Sequence, residues 1–413
     1  MQKKIGVKII LVLFLLVVFT ATTLLVINNP KQINLILNKV KNIPLFNKSL
    51  VFNKSLHSPF VNKIEKNEQF PLLKYSIPNL SQYSLKSSKI IVTKLTSTSP
   101  EFDSYLFHYT TLGKTMSGAV NIPKEQRGGP FPAIILIRGW VPQNIYQPGV
   151  GTKNAAKIFA ENGYVTLAPD FFGYGQSDSK PEGSWESRFV KPINILELIK
   201  SIQQFKKIEV QTELESELAI KLNSNQLGIW AHSNGGQIAL TALEASSQPI
   251  PTTLWAPVVA PFPYSILFFS DENEDEGKAT RKWVALFEEK YDVFDFSLTQ
   301  HLDKLTAPLQ LHHGTSDEAT LIAWSDEFVG KIDLENQKRQ KVLKEKRASA
   351  AANLSATSSS GSHDNNQSAK LEQIVINFYR YSGANHNLQP DQNWNQAIER
   401  DLNFFNKYLL STD

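Results

Sequence analysis

Leu227-Gly228-Ile229-Trp230-Ala231-His232-Ser233-Asn234-Gly235-Gly236 is the stretch whose reading decides the fold. Its first half is apolar throughout, as a strand buried on both faces of a parallel sheet must be. Residues 235–245, which follow, carry a helical pattern. Between strand and helix stands Ser233, with Ala231 and Gly235 two positions to either side. This is the G-x-S-x-G arrangement, with alanine in place of the first glycine. Small residues are needed there because such a serine sits on a strained turn at the top of the sheet. Larger side chains would strike the neighbouring strand and helix. The turn brings the hydroxyl to a helix N-terminus, where the backbone N–H of Asn234 can bind a developing oxyanion. A serine that merely caps a helix after a strand reads similarly, so Ser233 needs partners elsewhere in the chain.

Serine is a weak nucleophile at neutral pH; it needs a base, and the base needs an orienting acid. On a strand–turn–helix frame of this kind the chain order is Ser, then Asp or Glu, then His. Asp317 lies in His312-His313-Gly314-Thr315-Ser316-Asp317, just beyond a strand, and His386 in Gly383-Ala384-Asn385-His386, just beyond the last strand. Both loops leave the C-terminal ends of parallel strands, where open α/β sheets bind ligands. Competing residues fit less well. His312 and His313 precede the acid and read as packing at a sheet end. His232 is expected to point away from the nucleophile. Asp170 comes too early for the acid and is expected to hold its own loop by bonds to backbone. A second oxyanion donor is expected from the loop after the third strand of this frame, Arg138-Gly139-Trp140, with the Trp140 N–H as candidate.

The surrounding pattern predicts an α/β fold: a doubly wound, mostly parallel sheet. Strands are expected at 133–137, 164–168, 227–231, 253–255, 309–311 and 374–376, with helices between them. Pro192 opens one helix, as proline suits a first helical position. Leu112-Gly113-Lys114 reads as the turn of an antiparallel hairpin in front. The last helix carries Trp394, Ile398, Leu402, Phe405 and Leu409 on one face.

The ends and insertions set the domain plan. Lys3, Lys4 and Lys8 precede an uncharged, mostly apolar run over 9–27, close to the roughly 20 residues of a membrane span. Residues 1–28 are therefore expected to be a transmembrane signal anchor with its N-terminus in the cytoplasm; a cleaved secretory signal is the alternative. Either places the rest outside the cytoplasm. Residues 29–86 read as a stalk, with scattered Leu, Phe and Ile residues that could dock part of it on the domain, and 87–413 as the catalytic domain. Within it 335–370 is an insertion, a charged helix over 335–346 followed by a Ser-, Ala- and Asn-rich stretch expected to be disordered. The net charge of +4 is small and spread along the chain, which argues against nucleic-acid binding. The absence of cysteine excludes disulfides and thiol chemistry. No metal-ligand spacing and no glycine-rich phosphate loop is present, so no cofactor is implied.

Together, Arg138-Gly139-Trp140, Asp170-Phe171-Phe172-Gly173-Tyr174-Gly175-Gln176-Ser177, Ala231-His232-Ser233-Asn234-Gly235-Gly236, His313-Gly314-Thr315-Ser316-Asp317 and Gly383-Ala384-Asn385-His386 resemble the catalytic domain of the prolyl oligopeptidase family, within the α/β-hydrolases. Dienelactone-hydrolase-like esterases are similar over the same stretch. The resemblance implies a serine-type hydrolase that cleaves peptide bonds through an acyl-enzyme, with Ser233 as nucleophile, Asp317 as acid and His386 as base. A carboxylesterase is the alternative, and a non-catalytic binding protein on the same fold a second one. The family usually has histidine where this chain has Arg138. Its larger members place a β-propeller before the catalytic domain, and 29–86 is too short for several blades of about 40 residues. The expected partners are a peptide or small ester substrate and, through the N-terminal run, a membrane. Phe262, Tyr264, Phe268 and Phe269 suggest an apolar pocket, and core packing explains them equally well.

Overall fold

The apolar run over 131–137 becomes the centre of the molecule. In the computed structural model, which describes residues 70–125, 130–211, 219–354 and 373–411, strand β4 (Phe131–Ile137) alternates between two hydrophobic layers. Ile134 and Leu136 join the core on one side of the sheet, while Ala133, Ile135 and Ile137 join the core on the other. A strand covered on both faces has no polar side to show, which is why its sequence lacks alternation. The expected anchor over 1–28 and most of the expected stalk lie outside the described residues. Among the described residues no helix is long and apolar enough to cross a membrane.

Ten strands of the described residues form one sheet. In chain order these are β1 (Ile90–Thr98), β2 (Phe102–Thr111), β3 (Lys114–Pro123), β4, β5 (Val165–Pro169), β6 (Lys207–Val210), β7 (Ala219–His232), β8 (Thr252–Trp255), β9 (Leu309–Gly314) and β10 (Ile376–Tyr381). Their spatial order is β10-β9-β8-β7-β4-β5-β3-β2-β1-β6. From β10 to β5 every pairing is parallel, and β3 joins β5 antiparallel. The β2–β3 hairpin turns at Leu112 and Gly113, whose φ angles of 53° and 74° suit a two-residue turn matched to strand twist. The chain leaves β4 for β5 on one side and later returns to β7 on the other. That reversal opens a crevice at the C-terminal ends of β4 and β7. The strand order and the parallel core are those of the α/β-hydrolase fold.

The helices are α1 (Ile77–Leu80), α2 (Lys153–Glu161), α3 (Ser184–Phe189), α4 (Lys191–Phe205), α5 (Asn234–Ser246), α6 (Tyr264–Ser270), α7 (Lys278–Glu288), α8 (Ile322–Leu354) and α9 (Asp391–Phe405). Pro192 stands in the first turn of α4, as expected. This helix is buried nearly all round, and its Glu197 carboxylate accepts from Thr111 Oγ1, Leu112 N and Lys86 N at 2.7–2.9 Å. Three donors make burial of that charge tolerable. From α9, Asp401 accepts from Trp255 Nε1, Gln310 Nε2 and His312 Nε2 at 2.6–2.9 Å, tying the last helix to β8 and β9.

Three expectations are corrected. Residues 70–86 were expected to belong to a stalk, but Tyr75, Ile77 and Leu80 are buried against the domain, because their apolar surface covers its core. Strands β6 and the first half of β7 were not expected. Their residues are largely polar, and they form because β6 bridges β1 and β7 by pairing with both. The charged helix expected over 335–346 is part of α8, which runs from Ile322 to Leu354. Its start is built into the domain: Arg339 donates to the carbonyls of Leu302, Asp303 and Leu305, and Asn336 exchanges two bonds with Ile374. The remainder of the expected insertion, 355–370, lies outside the described residues.

Candidate active site

Ser233 joins β7 to α5 with φ 56° and ψ −124°, a backbone conformation L-residues rarely adopt. Its surroundings hold it there. Ser233 N donates to Trp255 O at 2.9 Å, and Ser233 O accepts from Gly236 N and Val258 N, both at 3.0 Å. Gly235 is required, because a Cβ there would lie 2.1 Å from Ile137 O. Ala231, at the other small position, is fully buried with room for its methyl. Gly139 passes so close to the serine that a Cβ would sit 2.8 Å from Ser233 Cβ and 3.3 Å from its Oγ.

The loop after β4 is fixed by Arg138. Its guanidinium donates to Gly139 O and Asp170 O at 2.9 and 2.8 Å and lies against the rings of Tyr146 and Tyr174, 4.5 and 4.2 Å from their centroids. In a trans peptide the C=O and N–H point in opposite directions. With Gly139 O bound to Arg138, the N–H of Trp140 is aimed away from the guanidinium. The Trp140 ring itself is 73% exposed. Asn234 is the first residue of α5, so its N–H has no intrahelical acceptor. Asp170 holds its loop through hydroxyls rather than backbone: it accepts from Ser117 Oγ at 2.6 Å and Tyr146 Oη at 2.5 Å.

The structure brings Asp317 and His386 together. His386 Nδ1 donates to Asp317 Oδ2 at 2.9 Å. The carboxylate is encircled. Oδ1 accepts from Ala319 N and Thr320 N, and Oδ2 also accepts from Thr320 Oγ1 at 2.8 Å, with His313 Nε2 at 3.1 Å. Burial alone would raise the Asp317 pKa; the donors His313, His386 and Thr320 outweigh it and hold the carboxyl well below the usual range. With Nδ1 committed to Asp317, Nε2 is the ring nitrogen of His386 left for other work.

Two neighbours of this pair escaped sequence reasoning. His313, expected as packing, bonds Ser325 Oγ through Nδ1 and faces the acid through Nε2. His232, read only as pointing away from Ser233, lies with its ring 4.7 Å from that of His386 and its Nε2 3.0 Å from His386 O. Burial, then repulsion from the His386 ring, lowers the His232 pKa to about 4, so it stays neutral at ordinary pH. His312, by contrast, does serve packing, in the Asp401 network.

A cavity of about 220 Å³ reaches Asn234. Gln237 and Thr241 of α5, Arg188 of α3, Lys191 of α4 and Tyr75 share its wall. Phe262, expected to line a pocket, is buried among Trp185, Phe189, Phe287 and Phe296 instead, while Phe268 and Phe269 pack on Trp324. A larger cavity, about 530 Å³, lies by Pro251, Pro308 and Val375, which immediately precede β8, β9 and β10. It is thus at the opposite end of the parallel strands from Ser233. Among the described residues no group of histidine and carboxylate side chains is arranged to hold a metal ion.

No protein-family model matches the chain, and no curated protein matches it by sequence. Solved structures do. An S-formylglutathione hydrolase from Agrobacterium tumefaciens is 14% identical over 76% of this chain and 99% of its own, with a TM-score of 0.45. Acetyl xylan esterase 1 from Thermoanaerobacterium sp. JW/SL YS485 is 11% identical over 81% of this chain and 92% of its own, with a TM-score of 0.49. A puromycin-hydrolyzing peptidase from Mycobacterium tuberculosis is 12% identical over 74% of this chain, with a TM-score of 0.47; the match spans 39% of that peptidase. At such identities nothing of their substrates transfers to this chain.

Proposed function

We propose that this chain is a serine hydrolase acting on ester or amide carbonyls through an acyl-enzyme. The observations that carry the reading are the strained Ser233 turn, whose preceding residue His232 packs its ring 4.7 Å from that of His386, and the His386–Asp317 hydrogen bond, which leaves Nε2 to serve as base. A strained conformation costs roughly 1–3 kcal/mol, and the cost is tolerated where projecting a side chain has a use. In the proposed cycle, Ser233 Oγ attacks the carbonyl carbon as His386 Nε2 takes its proton. The N–H groups of Asn234 and Trp140 receive the charge that develops on the carbonyl oxygen. The protonated His386, stabilised by Asp317, then gives the proton to the leaving amine or alcohol. Water repeats the attack on the acyl-enzyme with His386 again as base. A fluorophosphonate probe should label the wild type and not Ser233→Ala; equal labelling of both would refute the assignment.

Within that class, peptidase activity of the prolyl oligopeptidase type follows from the motifs of the sequence. A carboxylesterase is the alternative within the same class. Turnover of short acyl esters with none of aminoacyl amides would decide for the esterase. The apolar run over 9–27 supports a domain tethered outside the cytoplasm; a reporter fused at the C-terminus that is active only when exported tests this.

A further inference from the structure

The cavity that reaches Asn234 carries an unbalanced charge. Arg188 and Lys191 both line it. The Nε of Arg188 is buried and has no hydrogen-bond partner, and no ion pair involves its guanidinium among the described residues. The described contact of the Lys191 ammonium is the Phe171 ring, 5.9 Å away. The neighbouring carboxylate on α3, Glu186, is turned elsewhere: it accepts from Tyr75 Oη at 2.5 Å and pairs with Lys74 at 3.4 Å. Burial lowers the Arg188 pKa to about 10, and burial with repulsion from Arg188 and Arg138 lowers that of Lys191 to about 8. Among the described residues no anion opposes either shift.

Arg188 and Lys191 are both half-buried, and two like charges lining one cavity repel each other unless a counter-ion joins them. Where a fold keeps such an arrangement inside a cavity, a ligand is the physical reason to look for. The cavity adjoins the residue whose N–H is the proposed oxyanion donor. We propose that Arg188 and Lys191 form an anion subsite that holds a carboxylate or phosphate group of the substrate while its ester or amide carbonyl lies at Ser233. This rests on the serine-hydrolase reading and narrows it to substrates bearing a negative charge a short distance from the scissile bond. Arginine supplies a planar fork for two oxygens of the anion, and lysine a point charge beside it. Residues 70–86 help to build the subsite, since Tyr75 contributes to its wall and draws Glu186 away from it.

The test compares anionic with neutral esters on the full chain. Mono-4-nitrophenyl succinate and glutarate against 4-nitrophenyl butyrate place the charge on the acyl side. 4-Acetoxybenzoate against phenyl acetate places it on the leaving-group side. In at least one series the anionic ester should be favoured in kcat/KM by about tenfold to a hundredfold. That ratio should fall toward one in Arg188→Gln and Lys191→Gln and be partly kept in Arg188→Lys. No preference in either series, or a preference unchanged in the glutamine variants, overturns the subsite. Calorimetric titration of Ser233→Ala with glutarate and with inorganic phosphate reads the subsite without catalysis and tells carboxylate from phosphate. Binding of either that is lost on adding Arg188→Gln supports it, and no binding of either overturns it. If the fluorophosphonate fails to label Ser233, the hydrolase reading falls, and the titration still judges the anion subsite. Because a cation with no ion-pair partner among the described residues is removed, Arg188→Gln should melt no lower than wild type; a lower melting temperature would mean a structural partner for Arg188 and would count against the proposal.

Discussion

Replacing His232 with glutamine should make the protein less sensitive to mild acid, and the size of the effect follows from the site. In the fold the His232 pKa is about 4, against 6.5 for an unperturbed histidine, because the ring is buried and faces His386. A folded-state pKa below the unfolded value means the unfolded chain binds the proton first. Stability is therefore lost as pH falls through 6.5, and the loss stops growing below about 4. At pH 5 the two values correspond to about 2 kcal/mol less stability than at pH 8 from this one group, with a ceiling of about 3 kcal/mol at lower pH. His108 and His301, whose pKa values burial also lowers, add acid sensitivity of the same sign in both proteins, so the difference between them isolates His232. Urea unfolding at pH 5 and pH 8 provides the measurement. The wild type should lose about 2 kcal/mol more than His232→Gln between these values. Equal losses would refute the placement of a neutral His232 against His386. Asp317 acts in a lower window: its depressed pKa contributes stability present above the ordinary carboxylate range and lost as pH falls below it.

Other outcomes are open to direct measurement. Asp317→Asn keeps the shape but presents an amide to His386 Nδ1, so kcat on an ester substrate should fall by about 10⁴-fold with the fold intact by circular dichroism; a loss under tenfold would count against Asp317 as the orienting acid. Arg138→Met removes the donor to Gly139 O and frees the Trp140 peptide to rotate. It should lower kcat by up to about 10²-fold, the range seen when one oxyanion donor is lost, with KM little changed; steady-state kinetics decide. Asp401→Ala strands Trp255, Gln310 and His312 without their buried acceptor and should cost about 3–5 kcal/mol in chemical denaturation.

The outcome for particular residues shows where local reading stops. The strand–turn–helix around Ser233 was legible because it is written in adjacent residues: an apolar run, a serine between small side chains, then a helical pattern. The order of Ser233, Asp317 and His386 was legible for a related reason, since successive parallel strands deliver their loops to one end of a sheet. β6 and the first half of β7 were not legible, because their polar residues become strand only through pairing with β1 and with each other.

Sequence by itself thus determined the parallel core of the sheet, the position of the serine turn and the candidates for its acid and base. Tertiary structure alone decided what surrounds them: the His232 ring against His386, His313 and Thr320 on the Asp317 carboxylate, residues 70–86 against the core, and two cations lining one cavity with Asn234. The physical reason is range. Backbone periodicity is set by neighbours along the chain. Desolvation and charge act over a few ångströms of space, whatever the separation in sequence, and only the fold brings Tyr75 to Glu186 or His232 to His386.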